Sequence, residues 1–403
     1  MPTITVVGAG FSGLATAYFL TKQGLKVRVV EKADRAGGLI KTIRTDHGLV
    51  ETAANGLLSS ARLEAMCADI SVPLNATRRE ARKRFIYRDK PKQLPLRVTE
   101  LFALSGRLAV SAARLRPRQF ESIYDWGRRV LGRGATDYLL IPALGGIYAG
   151  DPNLLSASLI FGKANLSDHL RTTRPAKGRL RGTVSPPEGM QQLIDGLADY
   201  LKSAGVEFHF NHDEKASAGD PAVVCLSASD TAKYLSEVAP QLSAGLRNIE
   251  MLSLATVTCF YGPDAAKLDG FGCLFPRDQG FRARGVLFNT SIFEGRGPAH
   301  AETWIFGGAL DAEVVNLGDE AFAELIAAER QRFYRAHDEP LEIRITRWPN
   351  ALPHYSIELE KVLTTLPAPP ENVALAGNYL GKIGLAKILE RAAVVADQFK
   401  AST

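Results

Sequence analysis

Three glycines near the start of the chain have the spacing of a dinucleotide-binding turn, Gly8-x-Gly10-x-x-Gly13. Gly8 permits a tight turn, Gly10 lets the backbone approach a pyrophosphate, and Gly13 lets a helix pack closely on a strand. Glu31 follows 23 residues after Gly8, at a distance suited to accepting hydrogen bonds from ribose hydroxyls, and its charge disfavours a 2′-phosphate. These residues predict that the chain binds an adenine dinucleotide.

The elements around these glycines are those that such a site requires. Residues 4–7 form an apolar run typical of a buried strand, residues 14–23 contain good helix formers, and residues 27–30 predict a second strand. The resulting βαβ unit presents the N-terminus of its helix, with unpaired N–H groups and a positive dipole end, to a pyrophosphate. Phe11 and Ser12 lie at this helix start and are expected to contact the cofactor.

A second pair of glycines distinguishes between the dinucleotides. Gly37 and Gly38 follow Glu31 after five intervening residues. This run resembles the extended FAD fingerprint of the flavin amine oxidase superfamily, in which an E-x5-G-G block continues the dinucleotide site. The resemblance implies bound FAD with contacts from Lys32 and Leu39 as well as the two glycines. We expect the FAD to be non-covalent, since no histidine or cysteine stands in a recognisable covalent-flavin context.

The C-terminal part predicts a strand that runs into a glycine turn, over residues 373–379, followed by a helix over residues 387–399. By pattern alone, these elements are equally well explained as a strand and a helix that pack for stability. The superfamily closes its flavin site with a C-terminal strand, turn and helix. The resemblance therefore implies cofactor contacts from Gly377, Asn378 and Tyr379.

Several middle segments resemble one branch of that superfamily, the oxygen-dependent protoporphyrinogen and coproporphyrinogen oxidases of haem synthesis. The matching segments are residues 84–87 with Leu94-Pro95, 145–152 with Leu155-Ser156, 189–195, 270–276, 285–288, 347–355 and 377–380. Glu188 replaces the first glycine of the family's G-G-M-Q motif. Residues 381–389 replace its glycine-rich, cysteine-containing helix start. The resemblance covers the whole chain, from residue 4 to about 399.

The resemblance implies an enzyme that oxidises protoporphyrinogen IX or coproporphyrinogen III to the porphyrin. Hydride would leave a meso carbon for the flavin, a proton would leave a pyrrole nitrogen, and O2 would reoxidise the flavin and give H2O2. The cofactor carries this chemistry, so no catalytic side chain is predicted. The alternatives are another flavin amine oxidase, a polyene desaturase, and a carrier that binds FAD and porphyrin without turnover.

A porphyrinogen is an apolar macrocycle that carries propionates, so its site should have apolar walls and a cation at the rim. Arginine suits a carboxylate because its planar fork binds both oxygens. The expected substrate contacts are Ala149, Gly150, Leu274 and Phe288 in the walls and Arg88 and Arg97 at the rim. From the residues alone, a place in the core or on the surface explains the leucine, the phenylalanine and the arginines equally well.

Charge is distributed unevenly along the chain. The net charge is +6, but residues 78–133 contain 16 Lys and Arg against 5 Asp and Glu. Within this segment, residues 101–110 interleave apolar side chains with arginine, which is typical of an interfacial helix on an anionic membrane. A solvated basic helix face is the alternative. Nucleic acid is not expected as a partner, because no recognition motif accompanies the charge.

Composition bounds the remaining choices. The 403 residues are 46% hydrophobic and 23% charged, which is typical of a globular protein of two or three domains. Four scattered cysteines, without metal-ligand spacing to histidine, predict a reducing compartment and no metal site. With no signal peptide or spanning segment recognisable, we expect a cytoplasmic protein, with peripheral attachment to the cytoplasmic membrane face as the alternative. The oligomeric state stays open, and a homodimer is among its alternatives.

The predicted fold class is α/β plus α+β in three parts. The first is a discontinuous FAD-binding domain of Rossmann type, formed by residues 1–74, 186–245 and 366–403. The second is a helical, basic subdomain over residues 75–185, the candidate for membrane association. The third, residues 246–365, is a mainly antiparallel substrate-binding sheet.

Overall fold

The computed structural model describes residues 2–108, 115–162, 180–217, 219–381 and 383–401. Parts of the predicted segments lie outside the described residues: residues 109–110 of the interfacial helix, residues 109–114 and 163–179 of the helical subdomain, and residues 1, 218, 382, 402 and 403 of the FAD-binding domain. The α-helices of the described residues are Phe11–Lys22, Ala61–Asp69, Val98–Leu108, Ile123–Val130, Arg133–Ala135, Ile141–Tyr148, Ala157–Phe161, Met190–Ser203, Ala228–Tyr234, Pro240–Arg247, Asn289–Ile292, Asp319–Tyr334, Ile357–Thr365 and Leu385–Ala401, and a π-helix spans Thr136–Leu140.

Five parallel strands form the first sheet. Their spatial order is Glu207–His209, Val27–Val30, Ile4–Val7, Ala222–Val224 and Val373–Leu375. All four residues of Ile4–Val7 are buried, because helices cover both faces of a parallel sheet and leave a central strand no polar side. The helix Phe11–Lys22 packs on the helix Leu385–Ala401 at one face. The predicted Rossmann-type domain, assembled from distant segments, is confirmed.

Seven strands form the second sheet. Their order is Glu342–Pro353, Met251–Tyr261, His300–Gly307, Gly285–Leu287, Gly272–Leu274, Arg84–Arg88 and Lys90–Lys92. Every pairing is antiparallel except the one between Gly272–Leu274 and Arg84–Arg88. The predicted mainly antiparallel sheet is confirmed. Two shorter sheets complete the described strands: Thr42–Arg44 with Leu49–Glu51, and Leu57–Leu58 and Asn75–Ala76 on either side of Thr183–Ser185.

The segment predicted as a helical subdomain, residues 75–185, also contains strands. Arg84–Arg88 and Lys90–Lys92 extend the second sheet, because Phe85 and Tyr87 bury their rings in its aromatic core. The helices of the segment lie against this sheet, where the Ala309 N–H donates to the Ala149 carbonyl at 2.9 Å. No helix in the described ranges is long and apolar enough to span a bilayer.

Candidate functional site

The glycine turn, residues 8–13, contains two glycines that the fold itself requires and one that it does not. Gly8 has φ +101°, and a Cβ on Gly13 would lie 1.8 Å from the Gly8 carbonyl oxygen. Gly10 has an ordinary φ of −69°. The nearest atom to a Cβ on Gly10 would be the Gly38 Cα, at 4.0 Å. The bare backbone at Gly10 is therefore left open to a ligand, in front of the helix start where a pyrophosphate binds.

Glu31 lies at the carboxyl end of its strand and faces the turn. Its carboxylate accepts the N–H of Ala9 at 2.7 Å and that of Ala33 at 2.9 Å. Lys32 is held at 3.2 Å from Asp230. A cavity of about 230 Å³ opens beside them, and its lining includes Val7, Gly8, Val30, Lys32, Leu226 and Asp230. This is the carboxyl edge of the central strands, where doubly wound folds bind nucleotides.

The second glycine pair is fastened directly to the first turn. The Gly37 N–H donates to the Ala9 carbonyl at 2.8 Å, and Gly37 itself has φ +114°. Arg35 braces this pair by donating to the carbonyls of Gly38 at 2.8 Å and Ile40 at 3.1 Å. The sequence predictions did not include Arg35. Its only signal was its place inside the E-x5-G-G run.

The two ends of the cofactor site meet at Ser12. The Ser12 hydroxyl donates to the Ala376 carbonyl at 2.6 Å, which brings the last strand of the first sheet to the start of the first helix. Phe11 is buried beside it in the core. The Asn378 carbonyl accepts the hydroxyl of Tyr355. Ser12 therefore connects the glycine turn to the strand that leads into the C-terminal turn, and Asn378 connects that turn to Tyr355.

Tyr379 is a core residue. Its side chain is fully buried, and its hydroxyl lies 3.3 Å from the Thr231 hydroxyl. Burial raises the pKa of Tyr379 to about 12, so the phenol stays protonated at neutral pH. A Cβ on Gly377 would lie 2.0 Å from the Tyr379 ring. The glycine is therefore explained by the packing of this ring, and the side chain of Tyr379 is not presented to a ligand.

Thr52 and Trp348 join the glycine pair to the second sheet. The Thr52 hydroxyl donates to the Leu39 carbonyl at 2.9 Å, and the Trp348 indole N–H donates to the Thr52 carbonyl at 2.7 Å. The cofactor half and the second sheet thus meet just after Gly38. Sequence reasoning missed both residues: Trp348 stood in a matched segment without a role, and Thr52 gave no signal.

These features fit FAD. An open backbone at Gly10, a helix N-terminus and the carboxylate of Glu31 suit a pyrophosphate and a ribose. Cys225 is half-buried in this region, and desolvation raises the pKa of its thiol to about 12.

A basic cavity of about 820 Å³ lies between the helical subdomain and the second sheet. Its lining includes five arginines, Arg88, Arg97, Arg107, Arg133 and Arg277, four acidic residues, Glu100, Asp137, Asp151 and Asp278, and Tyr124, Tyr138, Ile141 and Leu310. A cavity of this volume is in the range of pockets that hold organic ligands. Arg97, one of the two arginines predicted at the substrate rim, is exposed at its edge.

Arg88 is the other arginine predicted at the substrate rim, and its guanidinium group already forms hydrogen bonds within the protein. Its guanidinium donates to both oxygens of Glu100, at 2.7 and 3.0 Å, and to the Pro95 carbonyl at 2.8 Å. It also stacks 3.6 Å from the ring centroid of Tyr138. The hydrogen bonds to Glu100 raise the pKa of Arg88. This buried arginine therefore fastens the helix Val98–Leu108 to the second sheet, contrary to the role expected of it at the rim.

Of the predicted wall residues, Phe288 lies in the core. Leu274, Gly150 and Ala149 lie where the helices of residues 75–185 pack on the second sheet, a contact region that we call the seam. Phe288 is fully buried, with its ring centroid 6.2 Å from that of Phe333, so it belongs to the aromatic core and not to a cavity wall. Leu274 lies against the backbone of Gly146, and a Cβ on Gly150 would be 2.4 Å from Leu155.

Ala149 joins the same seam with a strained backbone, φ +50°. The neighbouring Tyr148 ring lies 5.1 Å from that of Tyr355, whose hydroxyl reaches the Asn378 carbonyl. Through Tyr355, the seam between the helical subdomain and the second sheet adjoins the cofactor half.

Comparison with known proteins gives consistent results. The family model described as "Flavin containing amine oxidoreductase" matches residues 11–384. The chain is 25% identical to a chloroplastic protoporphyrinogen oxidase of Nicotiana tabacum, over 98% of this chain and 84% of the relative. It is 22% identical to the coproporphyrinogen III oxidase of Bacillus subtilis, over 94% and 92%. A candidate protoporphyrinogen oxidase of known structure from Exiguobacterium sp. 255-15 superimposes with a TM-score of 0.81 at 19% identity, over 100% and 99% of the two chains.

Proposed function

The chain belongs to the flavin-containing amine oxidoreductases, and within this family we propose that it oxidises a porphyrinogen, protoporphyrinogen IX or coproporphyrinogen III, to the porphyrin. It is an FAD-dependent oxidoreductase. We further propose O2 as the electron acceptor and H2O2 as the product. The relatives named for porphyrinogen oxidation support the substrate class, since they align over nearly the whole chain.

The observation that carries the proposal is the basic cavity of about 820 Å³. Its volume suits a macrocycle, and its arginines suit the carboxylates that a porphyrinogen carries. It borders the 145–152 block, which adjoins the cofactor half through Tyr148 and Tyr355. A small amine would not need this volume.

Each part of the chain has a distinct task in the proposed reaction. FAD, when bound, supplies the two-electron acceptor. The backbone at Gly10 and the carboxylate of Glu31 hold the dinucleotide, and Arg35 keeps the second glycine pair in position. The apolar residues Ile141 and Leu310 in the lining of the large cavity would contact the macrocycle. No protein base is required, because a pyrrole N–H can lose its proton to solvent.

The test is an aerobic assay with each porphyrinogen in turn. We expect porphyrin fluorescence to rise faster than spontaneous oxidation, with peroxide released, and to stop when oxygen is removed. The same protein stripped of FAD serves as the control. Turnover of primary or polyamines instead of porphyrinogens would contradict the substrate class. Porphyrin binding without flavin reoxidation on admission of air would identify a carrier.

We also propose that the helix Val98–Leu108 docks on an anionic membrane surface, with the protein at the cytoplasmic face. None of the side chains of this helix is buried, and Val98 and Phe102, one turn apart, are 68% and 72% exposed. Leu94 is exposed beside them, and the surrounding segment carries the excess of Lys and Arg. Apolar side chains on a cationic segment bind where anionic head groups meet acyl chains.

Removing the two apolar side chains should weaken membrane binding. We expect the double change Val98→Ser and Phe102→Ser to reduce cosedimentation with phosphatidylglycerol-containing vesicles, and wild-type binding to fall as salt screens the charge. Leu341→Ser is the matched control, because Leu341 is 54% exposed but lies outside this segment. Equal binding of wild type and double variant, or equal binding to neutral vesicles, would contradict the proposal.

A further inference from the structure

Two arginines of the second-sheet region, the buried Arg284 and the half-buried Arg277, have guanidinium nitrogens without a hydrogen-bond partner among the described residues. Arg284 is 6% exposed, and its Nε donates to the Gly307 carbonyl at 2.6 Å. Arg277 donates from Nη1 to the Arg282 carbonyl at 3.2 Å. In both residues Nη2 is buried and unpaired within the described part of the chain. An unpaired buried donor is costly, and most such groups in proteins find a partner.

The carboxylates nearest to these arginines form no ion pair with either of them among the described residues, and one oxygen of Glu329 is buried without a hydrogen-bond partner. Asp311 pairs with Arg282 at 2.8 and 3.0 Å, and one oxygen of Glu329 accepts the Arg282 N–H at 2.7 Å. Among the described residues, neither Arg277 nor Arg284 forms an ion pair. Burial, and secondarily the neighbouring positive charge of Arg277, lower the pKa of Arg284 to about 9, while the charge of Asp311 opposes this shift. The two cations therefore lie close together, and within the described residues no carboxylate is in ion-pair contact with either of them.

Both arginines line one small cavity of about 30 Å³. The remaining lining is largely apolar and includes Ile123, Ile141, Pro142, Leu144, Gly150 and Phe275. This volume holds about two water molecules. A carboxylate group is of similar size, whereas a macrocycle is far larger. The cavity adjoins the large basic cavity, since Ile141, Pro152, Arg277 and Leu310 line both.

We propose that Arg284 and Arg277 bind one carboxylate of the substrate in this small cavity. The inference rests on the proposed function, because it takes the substrate to be a carboxylated porphyrinogen. A carboxylate would accept hydrogen bonds from the two unpaired Nη2 groups and would neutralise the adjacent cations. The apolar walls strengthen these hydrogen bonds by lowering the local dielectric. The macrocycle stays in the large cavity, so the anchored carboxylate must sit on a flexible arm.

In this proposal Arg284 and Arg277, and not Arg88, bind the carboxylate of the substrate. Arg88 has its carboxylate already, in Glu100, whereas Arg284 is the buried arginine that still lacks one within the described ranges. The expected consequence is selectivity for the free acid over its ester, because an ester oxygen carries no charge to offset the two guanidinium groups.

The first test measures binding of protoporphyrin IX and of its dimethyl ester by porphyrin fluorescence. We expect Arg284→Leu and Arg277→Gln each to weaken binding of the free acid by about 10- to 100-fold, the loss of a charge-assisted hydrogen bond, and to leave ester binding unchanged. Arg344→Gln is the matched control, since Arg344 is half exposed on the same sheet and paired with Glu342. Arg284→Leu should fold normally, because it replaces a buried unpaired charge by an apolar side chain.

The second test needs no porphyrin. Sodium propionate, compared with sodium chloride at equal ionic strength, should raise the melting temperature of the wild type but not that of Arg284→Leu. Unchanged free-acid binding in both arginine variants, or equal losses for acid and ester, would overturn the inference. If wild-type protein oxidises no porphyrinogen but propionate stabilises it only when Arg284 is present, the carboxylate site stands and the proposed function fails.

Discussion

Replacing Gly10 by leucine is expected to abolish FAD binding while leaving the fold intact. The backbone at Gly10 has φ −69° and ψ 174°, which any residue adopts, and a Cβ there meets no atom closer than 4.0 Å. The fold does not require glycine at this position. The remaining reason for it is the close approach of a pyrophosphate to the bare backbone, which a leucine side chain would block.

The measurement is the flavin absorbance of the purified protein, with circular dichroism to follow the fold. Gly318→Leu is a matched control, because Gly318 also precedes a helix, has φ −65° and ψ 166°, and has open space around its Cβ position. We expect the control to retain full FAD and the Gly10→Leu protein to be colourless with native secondary structure. A folded Gly10→Leu variant with wild-type FAD would show that the pyrophosphate does not lie at this turn.

Truncating Glu51 to alanine should lower the free energy of unfolding by about 3–5 kcal/mol, because it leaves a buried charge without its partner. Glu51 and Arg296 form an ion pair at 2.8 Å, with side chains only 3% and 6% exposed. The same carboxylate accepts the Met190 N–H at 2.9 Å and the Thr42 hydroxyl at 2.8 Å. Burial raises the pKa of Glu51, and the charge of Arg296 opposes this shift.

The comparison for this change is a nearby exposed ion pair. Glu188 pairs with Arg44, but both side chains are more than half exposed, so Glu188→Ala should cost no more than about 1 kcal/mol. Urea denaturation at saturating FAD measures both changes. Equal midpoints for the two variants would mean that the buried pair contributes no more than the exposed one, and that neither Thr42 nor Met190 depends on Glu51 for its position.

Local patterns were sufficient to predict the cofactor half. The glycines and Glu31 lie within about thirty residues of one another, and their spacing alone determines how the turn, the helix and the strand meet. The C-terminal turn could be placed only through the family resemblance. Its contact with the first helix, from Ser12 to Ala376, joins residues 364 apart in the chain.

The substrate side was predicted less well, because its contacts are set by tertiary structure. Arg88 gave the same signal as a free cation, and only the fold shows that Glu100 turns back to pair with it. Phe288 lies in a matched segment, but its packing against Phe333 places it in the core. The strand Arg84–Arg88 joins the second sheet through Gly272–Leu274, a partner too distant in the chain for periodicity to reveal.

Arg284 shows a different limit. A sequence displays which residues carry charge but not which of those charges lack a partner after folding. Arg284 is a candidate anchor because it is buried without a carboxylate partner in the described ranges. This burial exists only when the helical subdomain is packed on the second sheet. The sequence analysis therefore named Arg88 and Arg97, which lie near a matched motif, and did not name Arg284.

The contact between Ser12 and Ala376 has a consequence for biosynthesis. A ribosome adding about 5–20 residues per second needs roughly 20 to 70 seconds to cover the 364 residues between them. During that interval the nascent chain has its glycine turn but neither the fifth strand of the first sheet nor the C-terminal turn. The contact between Ser12 and Ala376 therefore forms only after this strand has been translated, late in the synthesis of the chain.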